Sequence, residues 1–175
     1  MKDLIILTND PSFTAWGWAV LNGKGLILDQ GCIKTEPSPK KLKMRKGDDR
    51  VRRISEINQV LLEAIDKWKV NYLLAELPHG SQNAQAAIMI GATAGILQTM
   101  SDTMELGIEW YSEADSKKCA LGKNTASKDE MVNRMNEIYD VDYTNIKYKD
   151  EAVADALAIH YVASKQSSTL KLYKR

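Results

Sequence analysis

The chain opens with three strand-like segments joined by short turns, and this opening limits the possible folds more than any other feature. The run "LIILTN" from Leu4 is continuously apolar, as in a buried strand. The segments "TAWGWAVLN" and "KGLILDQGCIKT" are rich in β-branched and aromatic residues. Between them, Asn22-Gly23 is a strong β-hairpin signal. The sequence therefore predicts an antiparallel meander at this end of the chain.

A helix and a fourth strand are expected after the meander. Asp48 or Asp49 is the expected cap of the helix. One face of the helix carries apolar residues at helical spacing, namely Val51, Ile54, Ile57, Leu61, Ile65 and Trp68. The run "NYLLAEL" then predicts a short strand that ends at Glu76.

Helices dominate the rest of the chain. The segment "SQNAQAAIMIGATAGILQTM" predicts a long helix whose Ala and Gly residues allow close packing, and "LGIEWYS" predicts a fifth strand. Shorter helices are expected around residues 113–120 and 127–139, and a last helix at about 149–165. This order predicts an α/β, RNase H-like fold: a mixed five-stranded sheet, antiparallel in its first three strands, with helices on both faces. Actin-like ATPase domains open with the same meander, so the order alone does not determine function.

The length of 175 residues and the ordinary composition indicate a single globular domain, residues 1–175. The apolar runs are too short for a membrane span, and the first residues lack the features of a signal peptide. Cys32 and Cys119 are far apart and the chain has only two His, which argues against a zinc site. We expect a cytoplasmic protein with reduced thiols, no membrane partner and no small-molecule cofactor.

The net charge of +1 conceals an uneven charge distribution. Residues 34–53 hold nine Lys or Arg against three acids, and we expect the part at about 35–50 to form a basic loop or arm. A second basic cluster is expected to form a tail at about 165–175. Acids concentrate at 105–115 and 129–155. The surface is therefore expected to be electrically polarised.

Acidic residues lie at the ends of two predicted strands and in the last helix. Asp10 ends the first strand, Glu76 ends the fourth, and Asp155 is surrounded by small apolar residues in "AVADALAI". Glu151 precedes Asp155 by four residues and so shares its helix face. In an RNase H-like sheet the first and fourth strands are neighbours, and such sheets place their chemistry at the C-terminal ends of the strands. We therefore expect three or four carboxylates to converge.

Converging carboxylates repel one another unless positive charge neutralises them. Mg²⁺ takes oxygen ligands and keeps several waters, so a few carboxylates and a substrate phosphate suffice to hold it. Two such ions about 4 Å apart can activate water and stabilise the leaving oxygen of a phosphodiester. The pattern therefore favours a metal-dependent nuclease.

Each of these acids taken alone also has an ordinary structural interpretation. Asp10 precedes Pro11 and could be a turn residue. Glu76 could be a surface charge, and Glu151 could complement a helix N-terminus. Asp155 is harder to explain in this way, because a buried carboxylate is costly without an Arg, a Lys or a metal ion beside it. The combination is more specific than any single acid.

Four segments together resemble the RuvC-type Holliday junction resolvases, nucleases that cut four-way DNA junctions. They are "DPSFTAWGWAV", "LLAELPHGSQNAQAAIMIGATAGIL", "EADSKKCALGKNTASKDEMV" and "ADALAIH". The third is similar to the family's stretch of Lys, Gly, Ala and Lys at fixed spacing, which here falls on Lys117, Gly122, Ala126 and Lys128. The resemblance covers most of the chain, and the order of the four segments makes it specific.

The resemblance implies a role for each matching residue. Asp10, Glu76, Glu151 and Asp155 would be catalytic metal ligands. Lys117 would join the catalytic group by stabilising charge near the cut, although without the resemblance it would be taken as a solvated lysine. The residues implied to contact DNA are Lys117, Lys128, His79 and, in the basic arm, Lys40, Lys41, Lys43, Arg45 and Lys46.

The resemblance also implies a cofactor and an assembly. Two Mg²⁺ ions per site are expected, with Mn²⁺ as a possible substitute. Paired symmetric cuts in branched DNA, leaving 5′-phosphate and 3′-hydroxyl ends, require two active sites and hence a homodimer. The small-residue face of the helix at 84–97 is a candidate interface, and it is equally suited to core packing.

The chain departs from the family pattern at several positions. The family usually has an acid three residues before the last Asp, where this chain has Ala152. Glu151 is the first candidate to replace that acid and Asp150 the second. Ser12 replaces a usual Gly after the first Asp-Pro. The basic arm is longer than in typical bacterial members, which indicates a phage-type variant.

Three functional hypotheses follow from the sequence. The first is a structure-selective endonuclease that resolves four-way junctions. The second keeps the same chemistry but directs it at flaps, branched replication intermediates or RNA–DNA hybrids. The third is a different class, a DNA-structure binding protein that does not cut. An actin-like ATPase is disfavoured because the chain has no Gly-rich phosphate loop.

Overall fold

Five strands form one mixed sheet in a computed structural model that describes residues 3–173. They are β1 (Ile5–Asp10), β2 (Ala15–Asn22), β3 (Ile27–Lys34), β4 (Tyr72–Glu76) and β5 (Gly107–Tyr111). The order across the sheet is β3-β2-β1-β4-β5. The first three strands are antiparallel, whereas β4 runs parallel to β1 and β5 runs parallel to β4. The predicted mixed sheet with its antiparallel opening is confirmed.

Six helices cover the two faces of this sheet. They are α1 (Lys46–Trp68), α2 (Ala84–Met104), α3 (Glu113–Leu121), α4 (Lys128–Tyr139), α5 (Lys147–Gln166) and α6 (Ser168–Tyr173). On one face, α1 and α2 build a core with the strands through residues such as Leu61 and Leu97. On the other face, α4 and α5 pack on the sheet through residues such as Met135 and Leu157. The prediction of helices on both faces is therefore confirmed.

Strand register places Asp10 and Glu76 side by side on the face covered by α5. Asn9 pairs with Ala75 in the parallel ladder between β1 and β4, so the next residue of each strand is an acid. Side chains alternate between the two faces of a sheet. Ile6 of β1 lies in a buried cluster with residues of α5. Asp10, four residues further on, therefore faces the same helix.

Asn9 joins three strands immediately before Asp10. Its side-chain amide is buried and donates to the carbonyl oxygens of Leu7, at 3.2 Å, and Leu74, at 3.1 Å. Its Oδ1 accepts a hydrogen bond from the indole nitrogen of Trp16 at 3.1 Å. Because a buried amide is costly unless it is fully hydrogen-bonded, this network holds the end of β1 in one position.

The backbone of α5 comes unusually close to β1 and β2. The Thr8 hydroxyl donates to the Ala156 carbonyl oxygen at 2.7 Å. On β2, a Cβ atom added to Gly17 would overlap the carbonyl group of Ala152. Only a residue without a side chain fits there. Gly17, within the "DPSFTAWGWAV" segment, therefore determines how closely α5 approaches the sheet.

Two expectations for α1 are wrong. The helix begins at Lys46 instead of at Asp48 or Asp49, and no side chain caps its first turn. Both aspartates lie within that turn, where their charge complements the helix N-terminus. Asp49 also accepts hydrogen bonds from the backbone and hydroxyl of Ser38, at 2.9 and 2.6 Å. Val51, expected in the core, is 63% exposed.

The two basic segments are more ordered than expected. The arm predicted at about 35–50 is a short connection with one 3₁₀ turn at Lys40–Leu42, and its last residues already belong to α1. In the predicted tail at 165–175, residues Ser168–Tyr173 form α6, and Leu170 is buried. Lys174 and Arg175 lie outside the described residues. Among residues 3–173 we find no helix that is both long and apolar enough to cross a bilayer.

We predict that Gly17→Ala destabilises the protein by about 1–3 kcal/mol or more, the range expected for overpacking a tight contact. The added methyl group must push α5 away from β2, because it would meet backbone and not a flexible side chain. Urea unfolding of the two proteins measures the effect. Gly47→Ala is the control, since a Cβ there meets nothing within 4 Å. Equal stability of the two variants would contradict this account of α5 packing.

Candidate active site

Asp10, Glu76 and Asp155 form an electrostatically coupled group at the C-terminal ends of β1 and β4. The pKa of Asp10 lies well above its ordinary value, mainly because the carboxyl is buried and then because Asp155 and Glu76 repel its charge. The pKa of Asp155 is also raised, again mainly by burial. Since the charges of all three act on one another, the fold brings together carboxylates from three distant parts of the sequence.

The pKa of Glu76 is also shifted upward. Burial, followed by repulsion from Asp155 and from Glu113, raises the pKa of its carboxyl to about 7. A glutamate with such a pKa is partly protonated at neutral pH, which is typical of carboxyl groups in functional sites. The three acids therefore remain short of positive charge.

Lys128 supplies part of the missing charge. It is the first residue of α4, and its ammonium group forms an ion pair with the Asp155 carboxylate. Burial alone would lower the pKa of Lys128, but the pairing with Asp155 and the charge of Asp10 raise it. Asp155 is 12% exposed in this pair. The buried acid of the last helix thus has a lysine beside it.

Glu113 is an acid of the site that the sequence did not reveal. It opens α3, and its charge raises the pKa of Asp10, Glu76 and Asp155. Its own pKa is lowered, first by a hydrogen bond from Lys117. The sequence offered no signal for it, because a glutamate in a first helical turn has an ordinary explanation in the helix dipole.

The two expected replacement acids each have a partner in the structure. Glu151 lies 3.8 Å from the ammonium group of Lys147, and its role as a metal ligand stays a prediction. Asp150 is buried and accepts hydrogen bonds from the backbone nitrogen of Thr144, at 2.9 Å, and from its hydroxyl, at 2.8 Å. Asp150 thus stabilises the turn before α5.

The basic connection leaves the sheet at the same edge as the acids. β1 and β3 are both antiparallel to β2, so their C-terminal ends lie together. Thr35, just after β3, donates its backbone N–H to Thr14 at 3.1 Å and its hydroxyl to Phe13 at 2.5 Å. The expected DNA-binding side chains that follow are all exposed: Lys40, Lys41, Lys43, Arg45 and Lys46. Of these, Arg45 forms an ion pair with Asp48 at 2.6 Å.

The donor set of this site suits a hard divalent cation. The charges of Asp10, Glu76, Glu113 and Asp155 repel one another and are partly offset by Lys128 and Lys117, and carboxylate oxygens are the ligands that Mg²⁺ and Mn²⁺ prefer. Within residues 3–173, no three His, Cys, Asp or Glu side chains are arranged closely enough to hold an ion as they stand. The ion pair between Lys128 and Asp155 engages one of the expected ligands.

Comparison with known sequences identifies one family. The profile of the family described as "Crossover junction endodeoxyribonuclease RuvC" matches residues 6–162. An enzyme of that description from Natranaerobius thermophilus is 26% identical over 156 residues, which cover 89% of this chain and 91% of the relative. One from Rickettsia bellii is 27% identical over 161 residues, which cover 90% and 95% of the two chains.

Two solved structures share this fold. Thermus thermophilus RuvC in complex with a Holliday junction substrate aligns with a TM-score of 0.71 at 20% identity, covering 92% of this chain and 93% of that chain. The yeast mitochondrial Holliday junction resolvase Ydc2 aligns with a TM-score of 0.66 at 10% identity, covering 97% and 81%. The predicted RNase H-like fold is confirmed.

We predict that Glu76→Gln stabilises the metal-free protein at pH 8. The pKa of Glu76 rises from an ordinary 4.5 to about 7 on folding, so the folded state binds the proton more tightly and stability falls as the pH rises through this interval. Removing the charge should therefore add about 1–3 kcal/mol at pH 8 and little at pH 4. Chemical unfolding in EDTA at both pH values measures this.

Glu130→Gln is the matched control with the opposite sign. Hydrogen bonds from Lys123 and Ser127 lower the pKa of Glu130 to about 2, so its charge stabilises the fold above its ordinary pKa. The control should lose stability at pH 8 and not at low pH. A Glu76→Gln variant that is also less stable than the wild type at pH 8 would show that the Glu76 charge is well compensated.

Proposed function

The chain belongs to the crossover junction endodeoxyribonuclease RuvC family, and from this premise we propose that it resolves four-way DNA junctions by metal-dependent hydrolysis. The observation that carries the proposal is the convergence of Asp10 and Glu76, on adjacent strand ends, with Asp155 of α5. The family profile matches residues 6–162, so these acids belong to the part of the chain that the family shares.

In this proposal, Asp10, Glu76 and Asp155 hold divalent cations, two Mg²⁺ per site, with Mn²⁺ as a substitute. When bound by these residues, such cations would supply activation of water and stabilisation of charge on the departing oxygen. The acids contribute by presenting carboxylate oxygens in a partly buried site, where interactions between charges are stronger than in water. Glu151, one turn before Asp155 on α5, stays a candidate ligand, and its 3.8 Å contact with Lys147 is to a largely exposed side chain.

The lysines act on the phosphate. Lys128 leaves Asp155 when cations and DNA arrive, and its ammonium group then neutralises a phosphate oxygen. Lys117, 17% exposed beside the acids, stabilises the charge that develops at the cut. His79, which follows β4 by three residues and is 60% exposed, lies where DNA would reach the site.

The basic connection between β3 and α1 supplies contacts outside the site. It leaves the sheet at the edge that carries the acids. Lys40, Lys41, Lys43 and Lys46 are exposed there. Such side chains bind phosphates and read the shape of a junction instead of its base sequence. Branched DNA is therefore the proposed partner. The cytoplasmic location expected from the sequence stays a prediction.

We further propose a homodimer formed through the open face of α2. Four small or apolar residues recur on one side of this helix at spacings of four, three and four: Ala84, Ile88, Gly91 and Gly95. All four are exposed, and a Cβ at either glycine would meet nothing within 4 Å. The core side of α2 is instead formed by residues such as Leu97 and Met100. Core packing therefore does not account for this face, whereas close approach of a second helix does.

The main test is cleavage of a labelled synthetic four-way junction in Mg²⁺, beside a linear duplex, a flap and an RNA–DNA hybrid. We expect paired symmetric nicks in the junction. Asp155→Asn should lower the rate by at least about 100-fold, because it removes charge stabilisation of several kcal/mol, while junction binding remains. Asp66→Asn is the control, since Asp66 lies exposed on α1 and pairs with Lys69.

The other substrates separate the competing functions. Preferential cutting of the flap or the hybrid would keep the acidic site and replace the junction as substrate. Tight junction binding by a wild-type protein that cuts nothing in Mg²⁺ or Mn²⁺ would leave a non-cleaving DNA-structure binding protein.

We predict that Gly91→Arg converts the proposed dimer into a monomer. A long charged side chain on the open face of α2 would hold the two helices apart and would be costly to bury. Sedimentation velocity measures the mass of each species in solution. Gly47→Arg, which adds the same side chain to an open position of α1, should leave the dimer intact. A wild-type protein that sediments as a monomer would refute the interface.

A further inference from the structure

Glu113 and Lys117 form an ion pair at the entrance to the candidate site. Both belong to α3, and the Lys117 ammonium lies 2.5 Å from Oε1 of Glu113. The start of α3 is held against the end of β4, because the backbone N–H of Leu77 donates to the Tyr111 carbonyl at 2.7 Å. This bond joins the residue that follows Glu76 to the last residue of β5. The pair is therefore fixed next to Glu76.

This ion pair differs from an ordinary helix-surface pair in its surroundings. The side chain of Lys117 is only 17% exposed. Besides Glu113, its charge acts on Glu76 and on Asp155, lowering the pKa of both carboxyls. A charged group on a largely buried side chain is costly unless an opposite charge lies beside it. Glu76, Asp155 and Glu113 therefore all attract the Lys117 ammonium group, which pairs with Glu113.

The second oxygen of Glu113 faces His79. Oε2 lies 3.8 Å from the His79 ring nitrogen Nε2. His79 is in the connection between β4 and α2, so one carboxylate of α3 lies between a lysine of its own helix and a residue that follows the Glu76 strand.

We propose that Glu113 is a positioning residue that holds the Lys117 ammonium away from the Glu76 and Asp155 carboxylates. It leaves those oxygens available to cations and keeps the lysine charge beside the position of the scissile phosphate. The inference rests on the proposed nuclease function. Without Glu113, Lys117 pairs with Glu76 or Asp155, and a second lysine joins Lys128 in competing for the expected ligands.

The first test observes the lysine in the metal-free protein, without any reaction. Nitrogen-15 NMR of the Lys117 ammonium, assigned by its loss in Lys117→Ala, should give a distinct signal in the wild type. Glu113→Ala should shift that signal, because the lysine changes its carboxylate partner. Asp115→Asn, an equal loss of charge at an exposed position of the same helical turn, should leave the signal unchanged.

The second test is a double-mutant cycle with junction cleavage and its Mg²⁺ dependence as readouts. Glu113→Ala alone should weaken the apparent Mg²⁺ affinity by about 10- to 100-fold, as for residues that orient metal ligands. In a Lys117→Ala background the same substitution should have no further effect, because there is no lysine left to misplace. The Asp115→Asn variant should match the wild type in both readouts.

The outcomes separate this inference from the function on which it rests. If the wild type cuts no junction, the proposed function fails, and the NMR signal still reports the lysine position. If the wild type cuts but Glu113→Ala is equally harmful with and without Lys117, Glu113 acts on its own and the positioning role is refuted. An unchanged Lys117 signal in Glu113→Ala refutes it as well.

Discussion

The closeness of α5 to the sheet is the constraint on which the rest of the site depends. A hydrogen bond from the Thr8 hydroxyl to the Ala156 carbonyl and the bare backbone of Gly17 beneath Ala152 hold this helix nearer than side chains normally allow. Asp155 lies between those two contacts in the chain. A packing requirement on β1 and β2 therefore brings a carboxylate from near one end of the sequence to the acid at the end of β1. Loosening the packing would separate the acids without changing any of them.

That placement creates an electrostatic conflict that the protein alone resolves only in part. Burial and repulsion from neighbouring carboxylates, Glu113 among them, raise the pKa of Asp10, Glu76 and Asp155, while Lys128 and Lys117 offset some of the charge. Sites that tolerate such a cost are commonly functional, since the same repulsion favours a bound cation. In the proposed mechanism, the lysines neutralise part of the acidic charge before metal and substrate bind. Glu113 prevents Lys117 from pairing with Glu76 or Asp155.

One edge of the sheet collects nearly everything that the proposed function needs. Strands β1, β3, β4 and β5 all end there, and each is followed by a functional feature: Asp10, the basic connection, the loop with His79, and the start of α3 with Glu113. The open face of α2 begins from the same edge, just after the His79 loop.

The sequence by itself determined the strands, the order of elements and the positions of Asp10, Glu76 and Asp155, because alternating apolar runs, turn residues and acids at strand ends are local signals. It offered no signal for Glu113, a carboxylate that the structure brings near Glu76 through the pairing of β4 with β5. Nor did it distinguish the exposed face of α2 from the face buried in the core, because Ala and Gly residues are compatible with either environment. Such decisions depend on which surfaces meet across the sheet, and only tertiary contacts between distant residues settle them.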